Sequence, residues 1–175
     1  ETGVIDTNIY SYKEEREKSV LFGKEPIFST NYHPVVRENS NINIQQLSDI
    51  QGLTIGTRAG LKYTPEYLQV IEALPHKIIT VHSNSQLLEL LQKKRIDIFV
   101  EAKETIRWKA KELGLDKETK ILDFPVYSGN YFFTLSKTSS RVKNKEKLLN
   151  QIDTCIVRLK RNGVYKVLAT SYELL

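Results

Sequence analysis

The first candidate for chemistry is a turn made of five consecutive residues, Gly60, Leu61, Lys62, Tyr63 and Thr64. It lies between a predicted strand, Leu53–Thr57, and a predicted helix of about 64–74, for which Thr64 is a suitable N-cap and Pro65 a suitable first residue. The free backbone N–H groups and the dipole of a helix N-terminus attract anions. The turn therefore predicts an anion site, although a simple helix cap would have the same sequence.

Enzyme chemistry has little support in the residues. His33, His76 and His82 lie in separate segments without the spacing of metal ligands. The sequence has neither a G-x-S-x-G elbow nor a glycine-rich phosphate loop with lysine. Glu14 and Glu15 are adjacent in a turn, so their carboxylates need not converge. The sequence predicts neither an enzyme nor a metal or cofactor site.

The elements that would position these residues alternate between strand and helix from Leu53 to Phe124. The predicted strands are Leu53–Thr57, Lys77–His82, Ile96–Glu101 and Lys120–Phe124, and the predicted helices are Thr64–Leu74, Ser85–Lys94 and Ala102–Leu113. This order is typical of a doubly wound α/β unit. The flanking segments 1–30 and 136–175 do not fit that unit. Tyr32–Arg37 is predicted to be extended. Because Pro34 has no N–H to donate, we expect this segment to lie at a sheet edge or in a connection between lobes.

The length, composition and charge distribution of the chain limit the classes of protein to which it can belong. The 175 residues suffice for one domain or two small lobes, and 40% hydrophobic with 27% charged residues is an ordinary globular composition. The net charge of +5 is concentrated in 136–175, which has nine basic and three acidic residues. These basic residues alternate with predicted core positions and form no nucleic-acid motif, so we expect a solvated helix face and no nucleic-acid partner.

Four segments in order resemble the type 2 periplasmic solute-binding proteins of the amino-acid-binding type. Residues 3–27, with Gly3, Asp6, Arg16 and Pro26, are similar to the family's G-x-x-D, T-x-x-R and F-S-x-P passage. The other three are 47–60, similar to L-x-D-L-x-G-k-x-V-G, 91–99, similar to L-x-x-G-R-x-D-a, and 131–137 with 159–165, similar to the return strand and the C-terminal l-k-x-d-G-x-y.

The resemblance implies a two-lobed α/β fold with doubly wound sheets. Lobe 1 would comprise 1–32 and 129–175, and lobe 2 would comprise 38–128. The chain would cross between the lobes near 32–37 and 130–137, which would form a hinge. Family members carry a further segment ahead of the passage that begins at Gly3. We therefore expect an incomplete first lobe with an open sheet edge.

The resemblance also implies roles for individual residues of lobe 1. The family's arginine in the T-x-x-R passage clamps the ligand carboxylate, a bidentate task suited to a guanidinium, and Arg16 occupies its position. An exposed arginine in a charged turn would have the same sequence. Tyr10 and Ser11 stand where the family has small polar ligand-binding residues.

In lobe 2 the resemblance implies ligand contacts from Gly60–Thr64, although Leu61 stands where the family often has Ser or Thr. The family's carboxylate for the ligand's amino group would fall at Ala102, so an ordinary α-amino acid ligand is in doubt. Glu101, one residue earlier, is the nearest substitute, and it is also the one acid that a dehydratase of this fold could use here.

We therefore expect a solute-binding module that traps a small polar metabolite, amino-acid-like or a carboxylate, for a membrane transporter or receptor. Its location would be periplasmic or extracellular by resemblance alone. One alternative is an assembly module that has lost its ligand and forms a homodimer through the open edge of lobe 1. Another is the effector-binding domain of a regulator.

Overall fold

The structure, a computed structural model, describes residues 5–61, 63–73 and 78–171. Its strands are β1 (Thr7–Ser11), β2 (Val20–Arg37), β3 (Ile55–Arg58), β4 (Ile78–Val81), β5 (Ile98–Ala102), β6 (Thr119–Ile121) and β7 (Tyr127–Ser136). Its helices are α1 (Pro65–Ala73), α2 (Asn84–Gln92), α3 (Lys103–Glu112), α4 (Lys145–Arg161) and α5 (Val164–Ser171), with short 3₁₀ helices at Glu14–Lys18 and Leu47–Ile50. Within the described ranges, no helix has the length and apolar character needed to cross a membrane.

The chain divides into two compact units. Unit 1 comprises residues 1–30 and 129–175, and unit 2 comprises residues 31–128. The chain passes from one unit to the other twice, within β2 and within β7. Movement at the hinge crossings expected near 32–37 and 130–137 stays a prediction.

Unit 2 has the mixed sheet that carries the predicted α/β pattern. Its strand order is β2-β5-β3-β4, with β6 on the other side of β2. β3 pairs in parallel with both β4 and β5, whereas β2 pairs antiparallel with β5 and β6. The parallel strands are joined through helices, which confirms the α/β architecture expected from the alternation of elements.

Pro34 does not lie in an edge strand, so that part of the prediction is wrong. In unit 2 it belongs to a strand paired on both sides, opposite Val100 of β5. The carbonyl of Pro34 accepts the Leu122 N–H at 2.9 Å, just beyond the end of β6. In a strand, the N–H and the C=O of one residue point to the same side. The N–H that Pro34 lacks would therefore point toward the segment beyond the end of β6, so its absence removes no hydrogen bond between β2 and β6. The alternative, a connection between lobes, stays a prediction: β2 passes from unit 1 into unit 2 between Thr30 and Asn31, and Tyr32–Arg37 lies within unit 2.

Two apolar clusters cover the two faces of the unit 2 sheet. Successive residues of β5 alternate between them, with Ile98 and Val100 in one cluster and Phe99 in the other. The first cluster contains Tyr67 and Ile71 of α1. The second contains Leu87, Leu88 and Leu91 of α2 with Ile106 and Ala110 of α3. Helices therefore bury both faces, as a doubly wound unit requires.

Unit 1 contains the strand order β1-β7-β2 together with α4 and α5. β1 and β7 are antiparallel, with Thr7 opposite Leu135 and Ser11 opposite Tyr131. Only Tyr32–Arg37 of β2 was predicted as extended, and the strand in fact begins at Val20. β1 stands at one end of the strand order among the described residues.

Candidate functional site

In unit 1, Arg16 is held by Ser11 and Tyr10, the other two residues of lobe 1 that were predicted to bind the ligand. Its Nη1 donates to the backbone oxygen and to the Oγ of Ser11, each at 2.7 Å. Its guanidinium carbon lies 5.1 Å from the ring centre of Tyr10, in cation–π geometry. All three residues are half-buried. We call Tyr10, Ser11 and Arg16 the unit 1 cluster.

The unit 1 cluster follows from how β1 ends. β1 ends at Ser11, and the next N–H, that of Tyr12, donates to the Asn130 carbonyl at 3.2 Å. The chain then turns into the 3₁₀ helix Glu14–Lys18, where the Arg16 N–H donates to the Lys13 carbonyl at 2.9 Å. This tight turn brings the arginine back to the strand end, so the spacing of five residues is what joins Ser11 to Arg16.

The guanidinium of Arg16 has donors left over. It carries five N–H groups, and the two side-chain hydrogen bonds that it forms with described residues both use Nη1. Within the described ranges no carboxylate forms an ion pair with Arg16, and Nε and Nη2 have no acceptor there. Two adjacent N–H donors on a fixed planar group can bind a carboxylate in bidentate fashion. The arrangement can therefore serve the role that the resemblance implies.

In unit 2, the turn after β3 follows the predicted strand–turn–helix order. The Ala59 N–H donates to the Val81 carbonyl at 2.7 Å, and the Leu61 N–H donates to the Arg58 carbonyl at 3.1 Å. Gly60 has a φ of 79°, the left-handed region that favours glycine. Leu61 packs against the apolar cluster beside α1, and Lys62 lies outside the described residues.

Thr64 and Tyr63 have structural roles in the turn. The Tyr67 N–H donates to Thr64 Oγ1 at 3.4 Å, and α1 begins at Pro65, so the predicted cap is confirmed. Tyr63 is only 9% exposed, and its hydroxyl accepts the Arg58 N–H at 3.0 Å. Burial raises the pKa of Tyr63 to about 12. Tyr63 thus supports the end of β3, and a direct ligand contact from it stays a prediction.

Glu101 is buried and paired with Arg58, which was not among the site residues predicted from the sequence. Its Oε2 accepts from Arg58 Nε at 3.1 Å, and its Oε1 accepts from the Ala102 N–H at 3.0 Å. Arg58 and Glu101 stand at the carboxyl ends of β3 and β5, which are parallel neighbours. The position of Arg58 directly after the predicted strand Leu53–Thr57 is the sequence signal that could have identified it as a site residue, because ligands commonly bind outside the carboxyl ends of strands in α/β sheets. We call Arg58, Tyr63 and Glu101 the unit 2 cluster.

Tyrosine rings pack beside the unit 2 cluster. Tyr32 stacks on Tyr127 with ring centres 4.3 Å apart, and Tyr67 lies 6.4 Å from Tyr127. The hydroxyl oxygen of Tyr127 is buried and has no hydrogen-bond partner among the described residues. Burial raises the pKa of Tyr127, and the negative charge of Glu101 contributes in the same direction.

The described residues contain no group of three or more His, Cys, Asp or Glu side chains that could hold a metal ion. His33 is buried, with its Nδ1 2.9 Å from the Leu122 carbonyl, so Nδ1 carries the proton. The structure thus brings the predicted residues together in two groups, one in each unit, and places Gly60, Leu61 and Thr64 in the turn beside Arg58.

Comparisons with known proteins place the fold. No protein-family model matches the sequence, and no curated protein matches it. Among solved structures, a mutant of ArgBP from T. maritima is 24% identical with a TM-score of 0.72, covering 96% of this chain and 69% of that chain. An ancestral arginine-binding protein bound to arginine is 21% identical with a TM-score of 0.73, covering 97% of this chain and 72% of that one.

A third neighbour is the probable amino-acid ABC transporter extracellular-binding protein YtmK from Bacillus subtilis. It is 18% identical with a TM-score of 0.79, and the match covers 97% of this chain and 72% of that one. About three tenths of each of these longer chains thus has no counterpart in the match. At these identities the likeness shows the fold: the chain has the α/β fold of the type 2 periplasmic binding proteins.

Proposed function

We propose that this chain is a solute-binding module that holds a small polar metabolite carrying a carboxylate, for transport or sensing. The observation that carries the proposal is the unit 1 cluster. Arg16 is fixed through Nη1 and by the Tyr10 ring, while Nε and Nη2 have no acceptor among the described residues. A pre-oriented guanidinium loses less rotamer entropy when it binds a carboxylate.

The unit 2 turn supports the same proposal, because it offers backbone donors and the N-terminus of α1 to a polar ligand. Two of the neighbours are named as an arginine-binding protein and an amino-acid ABC transporter extracellular-binding protein, which favours a ligand of amino-acid size. The proposal implies a periplasmic or extracellular location and a membrane transporter or receptor as the partner.

A thermal-shift screen against amino acids, polyamines, small carboxylates and sugars tests the proposal. A ligand at a hundred times its dissociation constant stabilises the fold by about 2.7 kcal/mol, which moves the midpoint by several degrees. Arg16→Gln should weaken binding by roughly tenfold or more, because it removes charge-assisted hydrogen bonds. The matched control is Arg107→Gln, at an exposed position of α3. A folded chain that responds to no ligand class would refute the proposal.

A second candidate is an assembly module, and the exposed edge residues of unit 1 favour it. β1 ends the strand order among the described residues, and Ile5 and Ile9 are 66% and 44% exposed. An edge strand with one unpaired side and exposed apolar residues invites pairing with a second copy. Sedimentation at low micromolar concentration measures the oligomeric state, and so distinguishes an assembly module from a monomeric solute-binding module. A dimer that Ile9→Lys dissociates supports assembly, and a monomer across the concentration range rejects it.

A further inference from the structure

Four aromatic side chains form a continuous row on one face of the unit 1 sheet. Tyr10 of β1 lies directly opposite Phe132 of β7, so both rings project to the same face. The Phe132 ring contacts the Phe22 ring of β2 edge to face, with ring centres 6.2 Å apart. Phe22 in turn contacts Tyr12, which follows β1, with ring centres 5.3 Å apart. We call Tyr10, Tyr12, Phe22 and Phe132 the aromatic strip.

The aromatic strip lies on the face of the sheet opposite to α4. On the α4 side, Gly23 of β2 is in contact with Asp153. Because successive strand residues point to opposite faces, the neighbouring Phe22 points away from α4. Phe132 and Tyr10 lie on the same face as Phe22, since their rings continue the same row. The packing of α4 on the sheet therefore does not bury the aromatic strip.

The rings of the aromatic strip are accessible. Tyr12 is 48% exposed, and the other three side chains are half-buried. The Tyr12 hydroxyl donates to Glu17 Oε1 at 3.0 Å, which orients the ring at the exposed end of the row. Contiguous exposed aromatic surface of this kind marks binding sites more often than ordinary protein surface.

One end of the aromatic strip adjoins the cation to which the proposed function assigns the ligand carboxylate. The guanidinium carbon of Arg16 lies 5.1 Å from the ring centre of Tyr10. The Nε and Nη2 groups of Arg16 have no acceptor in the part of the chain that the structure describes. A carboxylate on these donors would stand beside the row of rings, so the apolar part of the same molecule can lie along the row.

From this arrangement we infer that the ligand is an aryl-substituted carboxylate, whose ring packs on the aromatic strip while Arg16 holds its carboxylate. The inference rests on the proposed function, to which it adds the class of the apolar part of the ligand. Aromatic rings prefer edge-to-face and offset contacts, and such pairs contribute beyond the apolar area that they bury. A second charged group on the ligand would instead be desolvated against the rings without a partner. Every residue that carries the inference belongs to unit 1.

The experiment is calorimetric titration with hydrocinnamate, propanoate and hydrocinnamyl alcohol. Propanoate has the carboxylate of hydrocinnamate but lacks its phenyl ring, and the alcohol has the ring but lacks the carboxylate. We expect hydrocinnamate to bind the wild-type chain about tenfold or more tightly than either other probe. Burial of a phenyl group and a charge-assisted hydrogen bond each contribute on that order.

Two variants of the aromatic strip and one control locate the effect. Phe22→Leu removes the central ring and keeps an apolar side chain, so the affinity ratio between hydrocinnamate and propanoate should fall about threefold or more. Tyr12→Leu, at the exposed end, should lower the ratio in the same direction and serves if Phe22→Leu does not fold. The matched control is Tyr165→Leu in α5, where the ring lies against Lys160, and it should leave the ratio unchanged.

A ratio that stays at its wild-type value in a folded Phe22 or Tyr12 variant overturns the inference, as does equal binding of hydrocinnamate and propanoate to wild type. If Arg16→Gln still weakens the binding of both acids in that case, the proposed function stands. Equal binding of hydrocinnamate and the alcohol would contradict both, because Arg16 would then hold no carboxylate.

The oligomeric state tests the other occupant of this surface, a second copy of the chain. A dimer in sedimentation that binds none of the probes, and that Phe22→Leu dissociates, would assign the aromatic strip to the partner copy and overturn the inference. A folded monomer that binds none of the three probes also overturns it. The thermal-shift screen then decides the proposed function independently.

Discussion

Asp153 of α4 and Gly23 of β2 are in direct contact, and a Cβ at residue 23 would lie 2.6 Å from Asp153 Oδ1. Because Gly23 has no side chain, the carboxylate reaches the backbone of β2. There Oδ2 accepts the Lys24 N–H at 2.9 Å, and Oδ1 accepts the Glu25 N–H at 3.1 Å. One carboxylate therefore holds α4 to the strand inside unit 1.

Asp153→Ala should lower the free energy of unfolding by about 1–3 kcal/mol, because two N–H groups lose a charged acceptor. Gly23→Ala should also destabilise, since its methyl group would displace the carboxylate. Urea denaturation measures both. The matched control is Gln151→Ala, at an exposed position of the same helix, which should change stability by less than about 0.5 kcal/mol. Equal stability of the Asp153 and Gln151 variants would contradict this role.

Asp6 should contribute to the acid sensitivity of unit 1. The Ser139 hydroxyl donates to its Oδ1 at 2.7 Å, and Arg141 Nε lies 2.8 Å from its Oδ2. The hydrogen bond from Ser139 holds the pKa of Asp6 below its ordinary value of 3.8, with Arg141 acting in the same direction and desolvation opposing them. Since the folded pKa is lowered, the stabilisation is present above the unfolded pKa and is lost as the pH falls through the folded one.

An NMR titration of the Asp6 carboxyl measures this pKa directly. Ser139→Ala should move it up toward 3.8, because the largest stabilising hydrogen bond is removed. Asp6→Asn should make the unfolding midpoint less dependent on pH in the acid range, because no proton is then taken up at this position. An Asp6 pKa that does not respond to Ser139→Ala would show that the hydroxyl is not its main partner.

Local signals in the sequence located the helices well. The helix predicted at Ser85–Lys94 is α2, and its first turn is capped by Ser83, whose Oγ accepts the Gln86 N–H at 3.2 Å. The helix predicted to end at Leu113 is α3, and Gly114 follows it with a φ of 68°. Caps and glycine stops depend on neighbours within a few residues, so one segment of sequence contains all the information needed.

The full length of β2 and the pair between Arg58 and Glu101 could not be predicted in the same way. Gly23 and Pro26 both disfavour a strand interior, and the strand tolerates Gly23 because Asp153, far along the chain, needs the space. Arg58 and Glu101 are separated by 43 positions and meet only because β3 and β5 are neighbours. Features of this kind depend on strand order, which residue spacing does not determine.

The same substitution, Tyr to Phe, should have opposite effects at two positions of unit 2. The Tyr127 hydroxyl is buried without a partner among the described residues, so Tyr127→Phe should leave stability unchanged or raise it by about 1 kcal/mol. The Tyr63 hydroxyl accepts the Arg58 N–H, so Tyr63→Phe should lower stability by about 1 kcal/mol. Each variant serves as the control for the other in urea denaturation. Equal losses would show that the Tyr127 hydroxyl has an unseen partner.

Tyr63 should also make stability fall at alkaline pH. Burial raises its pKa from 10.0 to about 12, with the Arg58 N–H hydrogen bond opposing that change. Because the folded pKa is raised, the stabilisation is complete below the unfolded pKa and is lost as the pH rises through the folded one. The difference between the two pKa values corresponds to roughly 2–3 kcal/mol.

The alkaline measurement is the free energy of unfolding of wild type and Tyr63→Phe on both sides of this window, from pH 10.0 to about 12. Lysines and the other buried tyrosines titrate in both chains, so their effects cancel in the comparison. Wild type should lose more stability than Tyr63→Phe between these two pH values, and the excess loss should approach roughly 2–3 kcal/mol. Absorbance of the ionised phenol follows the titration independently. Identical losses in the two chains would show that Tyr63 ionises in the folded state as readily as in the unfolded state, and that burial does not hold its proton.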